Sequence, residues 1–91
     1  MTYQYKAARR FWKSFHHLTE RQKQSVRKAW ETFRENPFDP RLKPHKIHRL
    51  SAEYKVTIYA VVIEADLRVI FYLDGSTVWS VDIGTHAVYR S

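Results

Sequence analysis

The chain has 91 residues, no cysteine and a formal net charge of +7, with three Trp, six Tyr and five Phe against two Gly and three Pro. These values describe one small, aromatic-rich domain and exclude a disulfide framework and thiolate chemistry. MTYQYKAARR at the start carries no apolar signal-peptide core, and Glu64, Asp66 and Arg68 interrupt the most apolar region, Val56–Leu73, which excludes a helical membrane span and leads us to expect a cytoplasmic domain.

In chain order, Ala8, Phe11, Trp12, Phe15 and Leu18 recur at helical spacing, with Arg9, Arg10, Lys13 and Ser14 off that stripe. The pattern predicts an amphipathic helix from about Ala7 to His17. Thr19-Glu20-Arg21-Gln22 reads as a capping box that starts a second helix, whose apolar face is Val26, Ala29, Trp30 and Phe33. Asn36-Pro37 ends it, because proline cannot continue the hydrogen-bond ladder. The two helices form a hairpin.

Arg41–Leu50, RLKPHKIHRL, concentrates four Lys/Arg and two His around one proline. It belongs to a lopsided charge distribution: residues 1–50 hold 13 Lys/Arg and 4 Asp/Glu, a balance of +9, whereas residues 51–91 hold 3 and 5, a balance of −2. Such asymmetry favours nucleic acid or an acidic protein as partner. After Leu50 the period changes, and Lys55–Glu64, Leu67–Leu73 and Thr77–Ile83 read as strands apolar on both faces. Ser51–Lys55 is left open between strand and loop. A three-residue loop Asp74-Gly75-Ser76 would pair Phe71 with Trp79, Val69 with Val81, Leu67 with Ile83 and Arg68 with Asp82, leaving Arg68 on the side away from the helices.

The order helix, helix, LKPHKI, a two-strand run ending DLRVIFYLDG, then VDIGTHAVYR resembles the RelE/ParE toxin superfamily of type II toxin–antitoxin systems over nearly the whole chain. It looks nearest to the RelE and YafQ type. The resemblance implies an α+β fold, with two N-terminal helices packed on one face of a small antiparallel sheet. It also implies a ribosome-dependent mRNA endonuclease that blocks translation without a metal or other cofactor. Its partners would be the ribosome, mRNA and an acidic antitoxin that folds on binding. Two alternatives stay open: a ParE-like inhibitor of DNA gyrase, and an inert RNA-binding relative.

On the same resemblance, His86 and Tyr89 occupy the catalytic and substrate-positioning places of the final motif, and Arg68 matches an arginine at the scissile phosphate. His45 and Asp66 match YafQ-type site residues. Lys43, Lys46, His48 and Arg49 would be phosphate-facing neighbours. The chain departs from the family twice: the region of Tyr59 and Val61 lacks the paired RelE lysines, and Val62 stands where YafQ-like chains have a second histidine. Which group is base and which acid therefore stays open. The His45-x-x-His48 spacing with His86 is a weak metal pattern without a carboxylate, so no metal is expected. The expectation that matters most is spatial: His86, Arg68 and His45 should converge on one hollow away from the helices.

Overall fold

A computed structural model describes residues 2–85. The elements are β1 (Gln4–Ala7), α1 (Arg9–His16), α2 (Glu20–Phe33), a 3₁₀ turn (Pro40–Leu42), β2 (His45–Lys46), α3 (His48–Tyr54), β3 (Tyr59–Glu64), β4 (Leu67–Asp74) and β5 (Thr77–Gly84). The sheet order is β1-β5-β4-β3-β2. β1 runs parallel to β5 and the other pairings are antiparallel, so the α+β architecture expected from the sequence carries a mixed five-stranded sheet. Among the described residues no helix is long and apolar enough to cross a membrane.

The helical hairpin forms as its local signals dictate. Gln22 N–H donates to Thr19 Oγ1 at 3.1 Å, and Thr19 N–H donates to Gln22 Oε1 at 2.9 Å, which closes the capping box of α2. Phe11 and Phe33 bring the two stripes into the core. Residues Gln4–Ala7 do not begin the first helix. They alternate exposed with half-buried and pair with Thr77–Ser80, and Tyr5 donates its hydroxyl to Phe33 O at 2.7 Å. α1 therefore starts at Arg9, after the chain turns off the sheet at Ala8, whose N–H donates to Ser80 O.

The β4–β5 register differs from the expected one. The loop has two residues, Gly75-Ser76, flanked by the pair Asp74 and Thr77. Gly75 has φ +61°, which suits the first loop position of a type II′ turn. Tyr72 then opposes Trp79 and Phe71 opposes Ser80, until an irregularity between Ile70 and Phe71 inserts Val81 as an unpaired extra residue. Beyond it Ile70 opposes Asp82, Val69 opposes Ile83, and Arg68 opposes Gly84. The bulge shifts the pairing by one residue and so returns Ile83 to the core on the α1/α2 side.

The sheet buries both faces. On the hairpin side Phe11, Phe33, Val61, Val69, Phe71 and Ile83 form one core. On the other side Leu50, Ile58, Ala60, Ile70 and Val81 form a second core. The second exists because Ser51–Lys55, with the three residues before it, is mostly helix: α3 lays Leu50 onto that face. Ser51 Oγ donates to Ile47 O and accepts from Ile58 N–H, both at 2.8 Å, which clips α3 to the start of β3. That strand accordingly begins at Tyr59 rather than Lys55.

Candidate functional site

The basic segment separates into structural and available cations. Asp39 caps the 3₁₀ turn by accepting from Arg41 N–H, and the same carboxylate takes two guanidinium bonds from Arg41 at 3.0 and 2.9 Å. Those bonds from Arg41 hold the Asp39 carboxyl below its ordinary range. Arg41 is thus a structural residue. Lys43 follows with left-handed backbone, φ +49°, and its carbonyl accepts from His45 Nδ1 at 2.9 Å. A carbonyl oxygen only accepts, so Nδ1 carries the proton and the neutral ring holds its lone pair on Nε2.

His45 opposes Ala60, and Lys46 opposes Tyr59. Neighbouring strand residues point to opposite faces. His45 therefore faces the α3 side with Ala60, whereas Lys46 lies on the side where Tyr59 stacks on Phe71. His48 and Arg49 are exposed on the first turn of α3, at the other end of β2 from Lys43. The predicted phosphate-facing set is accordingly split. Lys43 sits before His45 on the edge, Lys46 turns to the opposite face, and His48 and Arg49 stand beyond.

Arg68 opposes Val62, two residues along β3 from Ala60, and shares the α3-side face with Ile70. From strand geometry, its backbone is about 12 Å from that of His45, two strands away. Its Nη1 donates to Ala65 O at 2.7 Å, while Nη2 makes no hydrogen bond among the described residues. α3 covers Ile58, Ala60, Ile70 and Val81, and its short length leaves the Val62–Arg68–Gly84 end of the face uncapped by that cluster. Asp66 is exposed in the β3–β4 turn, just beyond this end. The expected Arg68–Asp82 ion pair is absent because the Val81 bulge moves Asp82 one place along. Asp82 is 6% exposed and instead meets Arg10 Nε at 3.1 Å, Ser14 Oγ–H at 2.6 Å and Ile83 N–H at 2.8 Å.

His45 and Arg68 thus share one face, and Asp66 borders it. His86 and Tyr89 lie outside the described residues. The described chain runs to Thr85, one residue past Gly84, the register partner of Arg68. Sequence reasoning passed over Glu64, which buries Oε1 without a hydrogen-bond partner among the described residues at the end of β3, close in sequence to Arg68, whose Nε is buried in the same condition. It also passed over an apolar cleft of about 510 Å³ between α1 and α2, lined by Phe11, Trp12, Phe15, Val26, Trp30 and Phe33. The signal for the cleft was present: Trp12 and Trp30 lie at the margins of their helical stripes, and they are 49% and 41% exposed.

No protein-family model matches the chain, and no curated protein matches it in sequence. Solved structures do match its fold. A structure of the archaeal RelE–RelB complex from Pyrococcus horikoshii OT3 aligns with a TM-score of 0.72 at 15% identity, covering 100% of both chains. The E. coli DinJ–YafQ toxin–antitoxin complex aligns at 0.75 with 15% identity, again over 100% of each chain. A YoeB/ParE toxin from Agrobacterium tumefaciens aligns at 0.69 with 13% identity, covering 91% of this chain and 98% of that one. This chain has the RelE/YafQ toxin fold. Within that fold, His45 and Arg68 belong to the face opposite the α1/α2 hairpin, and the apolar cleft belongs to the hairpin itself. Among the described residues of this RelE/YafQ-like domain, no group of three or more His, Asp or Glu is arranged to hold a metal ion.

Proposed function

We propose that the chain is the toxin of a type II toxin–antitoxin pair and acts as a ribosome-dependent mRNA endonuclease. The observation that carries this reading is that His45 and Arg68 lie on the same face of the sheet, with Nε2 of His45 holding the ring's lone pair. In the proposed reaction, His45 Nε2 takes the proton of a ribose 2′-hydroxyl, whose oxygen attacks the adjacent phosphorus. The P–O5′ bond breaks, and His86 protonates the departing oxygen. The products are a 2′,3′-cyclic phosphate and a 5′-hydroxyl. Arg68 Nη2 stabilises the charge that builds on the phosphorane. Tyr89 positions the substrate, Asp66 orients the neighbouring groups, and Lys43, His48 and Arg49 hold RNA phosphates along the flank.

The antitoxin's contribution is read from the α1–α2 cleft. Exposed Trp12 and Trp30 need an apolar cover, while Arg27 lines the cleft and Lys23 Nζ lies 5.8 Å over the Phe15 ring. This combination fits an amphipathic acidic segment, which orders as it binds.

Expression of the chain alone in a bacterium, followed by mapping of mRNA ends, tests the reading. Translation arrest with cuts in ribosome-bound mRNA, abolished by His45→Ala and by His86→Ala, is the expected result. DNA damage signalling with intact mRNA, or normal growth in the presence of folded protein, would overturn it.

A further inference from the structure

One cationic cluster lies outside the site described above. Arg9, Arg10, Lys13, Ser14, His17 and Asp82 line a shallow depression where α1 lies beside the second half of β5. The spacing explains it: Arg9, Lys13 and His17 recur every four residues, which stacks them on one side of the helix about 5–6 Å apart. His17 Nδ1 donates to Lys13 O at 2.8 Å.

Helix stability does not account for the Arg9 and Arg10 end of this arrangement. The first turn of α1 carries no acid, and cations there oppose the helix dipole. Asp82 does not balance the cluster either, since one carboxylate faces three Lys/Arg side chains. Its role is to build the depression. Buried, it takes the Ser14 hydroxyl at 2.6 Å and Arg10 Nε at 3.1 Å, and the Arg10 side chain stays 68% exposed.

We propose that this depression is a second RNA-phosphate site, continuing the RNA path from Arg68 past the end of β5 onto α1. RNA as the ligand rests on the endonuclease reading, but the site itself stands on its own geometry. Asp82 lies two residues along β5 from Gly84, the register partner of Arg68, which puts its backbone about 8 Å from that of Arg68. That span is within reach of neighbouring nucleotides on one strand. The lining chemistry selects the partner class. The described residues that line the depression are three Lys/Arg side chains with Ser14, His17 and Asp82, whereas the core of a protein interface is depleted of charge. Cationic and hydroxyl groups side by side are the composition of a backbone-phosphate contact, which positions a nucleic acid without reading bases.

The test is equilibrium binding of the full chain to a 2′-O-methylated 12-nucleotide RNA, which cannot be cut, titrated over a range of salt. Arg9→Gln/Lys13→Gln is expected to weaken binding roughly tenfold and to reduce the log–log salt slope by about 1.4, near 0.7 per lost single-strand phosphate contact. Arg21→Gln/Lys28→Gln on α2 removes the same charge and is expected to leave the slope within 0.3 of the parent, a margin set at roughly half of one such contact. Melting temperatures of both variants establish that they are folded. Equal loss in the two variants, or an unchanged slope in the first, overturns the second site. So does retention of RNA binding by the α1 variant together with loss of binding to an acidic peptide. Because the RNA is uncleavable, a chain that binds through α1 yet cuts no mRNA would sink the endonuclease reading and leave this one standing.

Discussion

His45 Nδ1 donates to the carbonyl of Lys43 across 2.9 Å, and Lys43 can present that oxygen because its backbone sits in the left-handed region at φ +49°. The short 3₁₀ turn that Asp39 caps thereby sets the tautomer of an exposed imidazole. The consequence is chemical: the nitrogen that accepts a proton is Nε2.

His45→Ala should lower mRNA cleavage in a ribosome-programmed translation assay by about 10²–10⁴-fold, the range for losing a proton-transfer group. Because the residue is exposed on an edge strand, urea melts of the variant should agree with the parent within about 0.5 kcal/mol. A variant that cleaves normally removes His45 from the mechanism.

Asp82→Ala should be among the costliest polar substitutions. It strands the Ser14 hydroxyl, the Ile83 amide and Arg10 around a buried gap, and a loss of about 2–4 kcal/mol is expected in urea denaturation. Arg10→Ala, removing only the exposed partner, should cost well under half as much.

Gly75→Ala isolates a backbone effect. A Cβ there would meet nothing within 4 Å, so the loss of about 1–2 kcal/mol comes from φ +61° alone. Gly75→Asn should recover part of it, since asparagine tolerates that region. If alanine costs nothing, the loop has changed its turn type.

Burial, helped by the neighbouring Tyr3, pushes the Tyr5 hydroxyl up to about 12 from 10. The folded state thus favours the protonated phenol that donates to Phe33 O. This contribution is complete below pH 10, shrinks as the unfolded chain begins to ionise, and is gone once pH passes about 12. Tyr5→Phe should flatten the stability profile between these limits, measured by thermal melts at increasing pH. An unaltered alkaline profile would assign the loss to another group.

What could be read in advance was what depends on near neighbours. The Thr19–Gln22 box and the stripes carrying Phe11 and Phe33 are local signals and appear as read, while α2 ends at Phe33, three residues before the expected stop at Asn36-Pro37. The β1 strand was hidden because Tyr3 and Tyr5 alternate over only four residues before a helical pattern begins. α3 was hidden inside a charge run, where a single buried residue, Leu50, marks its inner face. The bulge at Val81 left no local mark either. With Val, Ile, Phe and Trp on both sides of the strands, either register buries apolar surface, and the difference appears only in where Asp82 goes.

By its order of residues alone, this chain specified the hairpin of helices, the strand-rich half, the uneven charge and the stock of histidines and arginines. Those follow from periodicity and capping within a few positions. Packing across the sheet decided that Asp82 serves Arg10 and Ser14 rather than Arg68, that α3 roofs one end of a face, and that His45 and Arg68 both belong to that face. Such pairings join residues up to 72 positions apart, as Arg10 and Asp82 are, and side-chain alternation within one strand does not encode which neighbour the next strand will offer.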